Sequence, residues 1–275
     1  MNFHAPQTVG PLSVAFLSGK GGVGKSNLVA NLAILMAEMG QRTLVLDGDL
    51  GLANVDLLLG LVPQQTLLDV VEGRCRLEEI LLRGPAGIEI LPASSGVEKM
   101  ADLDDYRREV LLRSLEAVAR DRDVLLIDTG SGIHRQSLRL GQAADEIVVV
   151  TTPEPPAFAD AYAMLKVLSG RPINRFPGLV VNMARTTDEA LRITRRLQRV
   201  ARRFLGQAPE LYGVILADET VGRAVRERQA LVRGYPTARA VAGMRALAQR
   251  LMGLSAGVGD EAGGEPASLS AAAMR

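Results

Sequence analysis

Residues Gly19 to Ser26 read Gly-Lys-Gly-Gly-Val-Gly-Lys-Ser, a glycine-rich turn between the apolar run Ser13–Ser18 and a helix-period segment, Ser26–Met39. No other feature constrains the fold as strongly. The spacing fits G-x-x-x-x-G-K-S, where glycines let the backbone turn sharply and consecutive N–H groups converge on phosphate oxygens. The following helix adds the positive end of its dipole. In this pattern Lys25 reaches the β and γ phosphates and the Ser26 hydroxyl ligates Mg²⁺. Gly21, Gly22, Val23, Gly24 and Asn27 complete the expected nucleotide-binding set. A turn that binds nothing would need neither the lysine nor the hydroxyl. ATP is the expected nucleotide, with GTP not excluded. Lys20, directly after the first glycine, is superfluous to an ordinary phosphate loop. Spacing is compatible with a place beside its own nucleotide or with reach across an interface to a partner's.

A strand–loop–helix of this kind belongs in a parallel sheet, and the rest of the chain supplies one. Apolar runs at Ser13–Ser18, Thr43–Asp47, Ile88–Leu91, Val124–Asp128, Glu146–Thr151, Gly178–Asn182 and Tyr212–Leu216 alternate with helix-period segments. The helices are expected at Ser26–Met39, Tyr106–Arg120, Pro156–Leu168, Asp188–Phe204 and Ala238–Leu254. Several runs are nearly continuous Val, Leu and Ile, as in strands covered on both faces. The fold class is therefore α/β: a doubly wound, mostly parallel sheet with helices on both faces. With 275 residues, 47 % of them apolar, the chain can bury a large core. Residues 1–254 read as one domain. From Ser255 to Arg275 the composition turns to Gly, Ala, Ser and acidic residues, which predicts a disordered tail.

Two strands end in carboxylates. The first runs into Asp47-Gly48-Asp49, the second into Asp128-Thr129-Gly130-Ser131-Gly132. In parallel-sheet folds ligands sit beyond the carboxyl ends of strands, so these acids face the phosphates. Asp49 is a candidate to orient the attacking water, Asp47 to help hold Mg²⁺ through water, and Asp128 to meet the magnesium shell as a Walker-B acid. Gly130 and Gly132 would let the backbone approach the γ-phosphate and move when it leaves. Asp56 reads as a turn former.

Other classes fall away. Lys plus Arg number 32 against 31 Asp plus Glu, so nucleic-acid or membrane affinity needs a local patch. The single cysteine, Cys75, excludes an internal disulfide, and His4 and His134 are too far apart for a metal centre. Neither a targeting sequence nor a membrane-spanning apolar run is visible, so a cytoplasmic protein is expected.

The segment Lys20–Ser26 resembles the deviant Walker A loop of the MinD/ParA ATPases. DGDLGLANVDLLLG (47–60), TLLDVVEGRC (66–75), DTGSGI (128–133) and TTPEPPAFADAYAMLK (151–166) resemble the flagellar-number regulators of that family, the FlhG/FleN branch. The resemblance covers about Leu12 to Leu254. It implies an ATP-dependent homodimer in which Lys20 crosses to the partner's phosphates, with Asp49 in hydrolysis and Asp128 in the magnesium water shell. It also implies that Asn182 lies against adenine; a strand-end turn residue is the simpler reading. The implied role is restriction of flagellar number through a FleQ-type transcription activator, the FlhF GTPase or a flagellar switch protein. Residues 1–12 contain no DQA-x-x-LR-like segment, which favours the FleN-like role over FlhF activation. GVILADETV (213–221) carries Leu216-Ala217 where the family usually shows Pro, so a differently shaped base-side loop is expected.

Two helices offer surfaces. Arg192, Arg195, Arg196, Arg199, Arg202 and Arg203 recur at three- and four-residue spacing, beside a stripe of Ile193, Leu197, Val200 and Phe204, and Thr186 with Glu189 reads as a capping box. The arginines are either a solvated face or a site for an acidic partner, DNA backbone or anionic lipid. In Ala238–Leu254 the stripe Val241, Met244, Leu247, Ala248, Leu251 and Met252 either packs on the core or, as in MinD-like proteins, contacts the inner face of the cell membrane. A ParA-like partition ATPase on nonspecific DNA and a MinD-like membrane-bound regulator are the alternatives. The flagellar-type segments argue against DNA.

Overall fold

The structure, a computed structural model, describes residues 10–48, 55–92 and 105–261. Asp49, proposed above for hydrolysis, and residues 262–275 lie outside them. The sheet has eight strands: β1 (Leu12–Leu17), β2 (Thr43–Gly48), β3 (Leu82–Arg83), β4 (Glu89–Leu91), β5 (Val124–Thr129), β6 (Glu146–Thr151), β7 (Gly178–Ala184) and β8 (Glu210–Leu216). Their order is β3-β4-β2-β5-β1-β6-β7-β8, with every pair parallel except β3 against β4. The strand succession moves to one side after β1 and to the other after β5, so the loop leaving β1 sits where the winding reverses. That is where open α/β sheets bind ligands.

Period two divides the strand side chains between two cores. In β1, Val14 and Phe16 enter one layer, while Ala15 and Leu17 enter the other. The first layer holds α1 (Lys25–Glu38), together with residues of α8 (Glu219–Arg226), α9 (Leu231–Gly234) and α10 (Arg239–Glu261). Against the opposite face lie residues of α4 (Asp105–Arg120), α5 (Arg135–Ala143), α6 (Pro155–Ser169) and α7 (Thr187–Leu205). Two short helices, α2 (Val55–Leu58) and α3 (Leu67–Val71), follow β2. Thr186 caps α7, its hydroxyl accepting from the Glu189 N–H at 3.1 Å while Glu189 returns a carboxylate to the Arg185 N–H at 2.7 Å.

Two expectations need correction. The last helix runs to Glu261, so the tail expected from Ser255 is helical over its first residues. No proline occurs between Arg239 and Pro266, and Ala256, Asp260 and Glu261 tolerate a helix that α10 has already nucleated. Phe204, placed on one stripe with Ile193, Leu197 and Val200, parts from it: Leu197 is buried but Phe204, in the last turn of α7, is 65 % exposed.

Candidate functional site

The phosphate loop follows from local backbone geometry. Gly24 takes φ 79° and ψ 20° as the residue before α1, and Gly22 takes φ 81°. L-residues pay for such left-handed conformations. A Cβ on Gly24 would also lie 2.5 Å from the Asn182 amide nitrogen. No side chain caps the start of α1 and its first turn holds no acid, so its free N–H groups face the loop.

Three strand ends assemble behind this loop. Phe16 of β1 is in register with Asp128 of β5, which is in register with Asp47 of β2. Neighbouring strands lie about 4.8 Å apart, so the two carboxylates are adjacent. Asp128 is fully buried and Asp47 is 2 % exposed. Asp47 accepts from the Val55 N–H at 3.2 Å, which ties β2 to α2. Lys25, 5 % exposed, donates to the Asp128 carboxylate and to the Thr129 carbonyl. The loop after β5 is fastened to β1. The Thr129 hydroxyl donates to the Phe16 carbonyl at 2.8 Å and the Gly132 N–H to the Ser18 carbonyl at 2.8 Å.

A cavity of about 570 Å³ opens on the loop and includes Lys20 through Asn27, with Leu57 and Leu58 of α2, Ser131, and Val225 and Arg228 at the end of α8. A second, of about 840 Å³, shares Gly24 and Asn27 with the first. It is lined by Asn182, Met183 and the segment Ile215–Gly222. We call the first the phosphate side and the second, where the resemblance expects adenine, the base side. Asn182, only 7 % exposed, donates to the Val23 carbonyl at 2.8 Å and accepts from the Met183 N–H at 2.9 Å. It therefore joins β7 to the phosphate loop as well as lining the base side. The Leu216-Ala217 departure has a structural counterpart: the Ala217 N–H donates to the Ala184 carbonyl at 2.8 Å, a bond that proline in its place would lack.

The structure brings together Gly21, Gly22, Val23, Gly24, Lys25, Ser26, Asn27, Asp47, Asp128 and Asn182. Lys20 lies on the exposed lip, paired with Glu154 at 3.4 Å. Sequence reasoning gave Glu154 no role, although its place after the β6 end was a usable signal. It also missed Thr129, Ser131, Val225 and Arg228.

All six arginines of α7 are exposed and form no ion pair among the described residues. Arg196 lies over the Phe158 ring at 5.1 Å and Arg203 over Phe204 at 5.4 Å. On α10, Val241, Met244, Leu247, Ala248 and Leu251 are buried in the core. Exposing them to water would cost about 1.5–3 kcal/mol for each large side chain. No helix among the described residues is long and apolar enough to cross a membrane.

The model of the CobQ/CobB/MinD/ParA nucleotide binding domain matches residues 14–232. The chain is 41 % identical over 239 residues to Antiactivator FleN of Pseudomonas aeruginosa, spanning 86 % of this chain and 85 % of that protein. It is 35 % identical over 219 residues to Flagellum site-determining protein YlxH of Helicobacter pylori, spanning 79 % and 74 %. Among solved structures, the septum site-determining protein MinD of Pyrococcus horikoshii, complexed with Mg-ADP, superposes with a TM-score of 0.70 at 25 % identity. That match covers 91 % of this chain and 99 % of the other.

Proposed function

The chain belongs to the CobQ/CobB/MinD/ParA nucleotide-binding family, in the branch that includes FleN and YlxH, and from that premise we propose that it is an ATP-dependent dimerising ATPase that limits flagellar number. One observation carries the nucleotide part of this reading. The cavity over the phosphate loop has Lys20, Lys25 and Arg228 and, among the described residues, no carboxylate in its lining, while two acids wait in register at the strand ends behind it. Such a site fits a triphosphate in front and a divalent cation at its edge. Ser26 would hold Mg²⁺ directly, with Asp47 and Asp128 through water; the ion supplies charge neutralisation on the β and γ oxygens.

The chain's own residues supply the switch. Lys25 is held by Asp128 and the Thr129 carbonyl. Phosphate oxygens would compete for that lysine, and the Asp128 carboxylate would then be able to serve the water shell of Mg²⁺. Lys20 has a weaker hold, since its pair with Glu154 is exposed. It is free to cross to a partner's phosphates. Asp49 orients the attacking water. Loss of the γ-phosphate removes these contacts and separates the subunits.

Similarity to an antiactivator favours a transcription activator of the FleQ type as the regulated partner, ahead of the FlhF GTPase or a flagellar switch protein. The α7 arginines offer it a basic face. The same face would serve DNA in a partition ATPase. ATP-requiring, steeply salt-dependent binding to random duplex would favour that second reading. Membrane contact, if made, falls to the chain beyond Leu251 rather than to the buried stripe of α10.

The test is deletion in the native cell with flagella counted per cell, beside a phosphate-release assay on the purified protein. Extra flagella and Lys25-dependent ATP hydrolysis are expected. An unchanged count removes the flagellar role; absence of ATP turnover removes the enzymatic one.

A further inference from the structure

Helix α8 spans both halves of the site. Its first residues, Glu219, Thr220, Val221 and Gly222, line the base side, whereas Val225 near its end and Arg228, two residues past it, line the phosphate side. Arg228 is exposed and lies about two hundred residues from the loop it faces, a distance that follows from strand order alone.

Three features of Arg228 stand together. It shares the phosphate-side cavity with Lys20 and Lys25, and among the described residues that line it there is no Asp or Glu. Lys20 and Lys25 are paired with Glu154 and Asp128, but Arg228 makes no ion pair among the described residues. The neighbouring acid, Glu227, is engaged by Arg223 at 3.1 Å and by the Tyr235 hydroxyl at 2.7 Å. Finally, Arg228 holds φ 52°, a left-handed conformation in which glycine would be less costly.

We propose that Arg228 is a phosphate-contacting residue whose guanidinium binds the polyphosphate of the nucleotide on the phosphate loop of its own subunit. The inference rests on the nucleotide-binding reading of that loop. A planar guanidinium offers paired N–H donors that match phosphate oxygens, which a lysine reproduces only as a point charge. With Lys25 below and Arg228 on the α8 side, the phosphates are gripped from two elements. Binding also fixes the end of the helix that lines the base side.

The experiment is calorimetric titration of the full chain with Mg-ATP and Mg-ADP, with melting temperatures measured on the same samples. Arg228→Ala is expected to weaken Mg-ATP about tenfold, the loss of one charge-assisted contact at a partly exposed site. Arg228→Lys recovers part of that loss. Arg226→Ala, with the same change in net charge two positions away, leaves affinity within about twofold. Arg228→Gly relieves the backbone, so it melts no lower than Arg228→Ala yet binds as weakly. If Arg228→Ala binds like the unaltered protein, or Arg226→Ala weakens binding as much, Arg228 is only a solvated surface charge and the proposal is overturned. Failure of the unaltered protein to bind either nucleotide overturns the nucleotide reading itself, and this distinguishes the two.

Discussion

Replacing Lys25 by Met tests the buried pair that connects the phosphate loop to the acidic strand ends. Methionine keeps much of the apolar stem and removes the ammonium group. Side-chain exposure is 6 % for Lys25 and 0 % for Asp128, so the carboxylate left behind has little recourse to water. Removing one partner of a buried ion pair costs about 3–5 kcal/mol, against a total stability of about 5–15 kcal/mol for a folded domain. At about 2–4 °C per kcal/mol for a chain of this size, melting should fall by roughly 6–20 °C. The double variant Lys25→Met, Asp128→Asn removes the stranded charge and should recover at least about 2 kcal/mol, a coupling readable in a double-mutant cycle. Urea unfolding without nucleotide, at fixed pH and salt, supplies all four free energies. A Lys25→Met protein within about 0.5 kcal/mol of the original would refute the reasoning, as would a double variant no more stable than the single one.

Three further outcomes follow from the same geometry. Gly24→Ala places a methyl against the Asn182 amide in a left-handed backbone, and should cost about 1–3 kcal/mol and abolish Mg-ATP binding by calorimetry. Asn182→Ala leaves the Val23 carbonyl without its donor; a loss of about 1–2 kcal/mol and weaker ATP binding are expected, measured by urea unfolding and titration. Burial, and then the nearby Glu146 carboxylate, push the Tyr212 phenol above its ordinary value of 10.0. A raised acid stabilises the fold below the unfolded value and loses that contribution as pH rises, so melting temperature should drop more steeply above about pH 10 than in Tyr212→Phe. Equal slopes in the two proteins would contradict this assignment.

The central strands could be read from sequence because both faces are covered, which makes them continuous apolar runs of unmistakable type. β3 could not: two residues at the sheet edge, paired antiparallel with β4, leave no pattern. Helix α5 buries Ser137, Leu138, Gly141 and Ala143, too small and polar a set to show a helical stripe. In the site, the loop and both acidic strand ends were visible, since each is a local motif after an apolar run. The contact between Lys25 and Asp128, by contrast, joins residues 103 positions apart. Its existence depends on β1 and β5 being neighbours, which no local spacing reveals. Arg228 gave no signal at all, because what places it is the path of α8 across the loop.

The direct test of nucleotide-controlled pairing is sedimentation of the Asp49→Ala protein with Mg-ATP and with Mg-ADP. The chain mass is 29.3 kDa. Slowing hydrolysis should trap a species of twice that mass with Mg-ATP, while Mg-ADP leaves the single chain. One unchanging mass in both nucleotides would contradict a switch built on two lysines and a departing γ-phosphate.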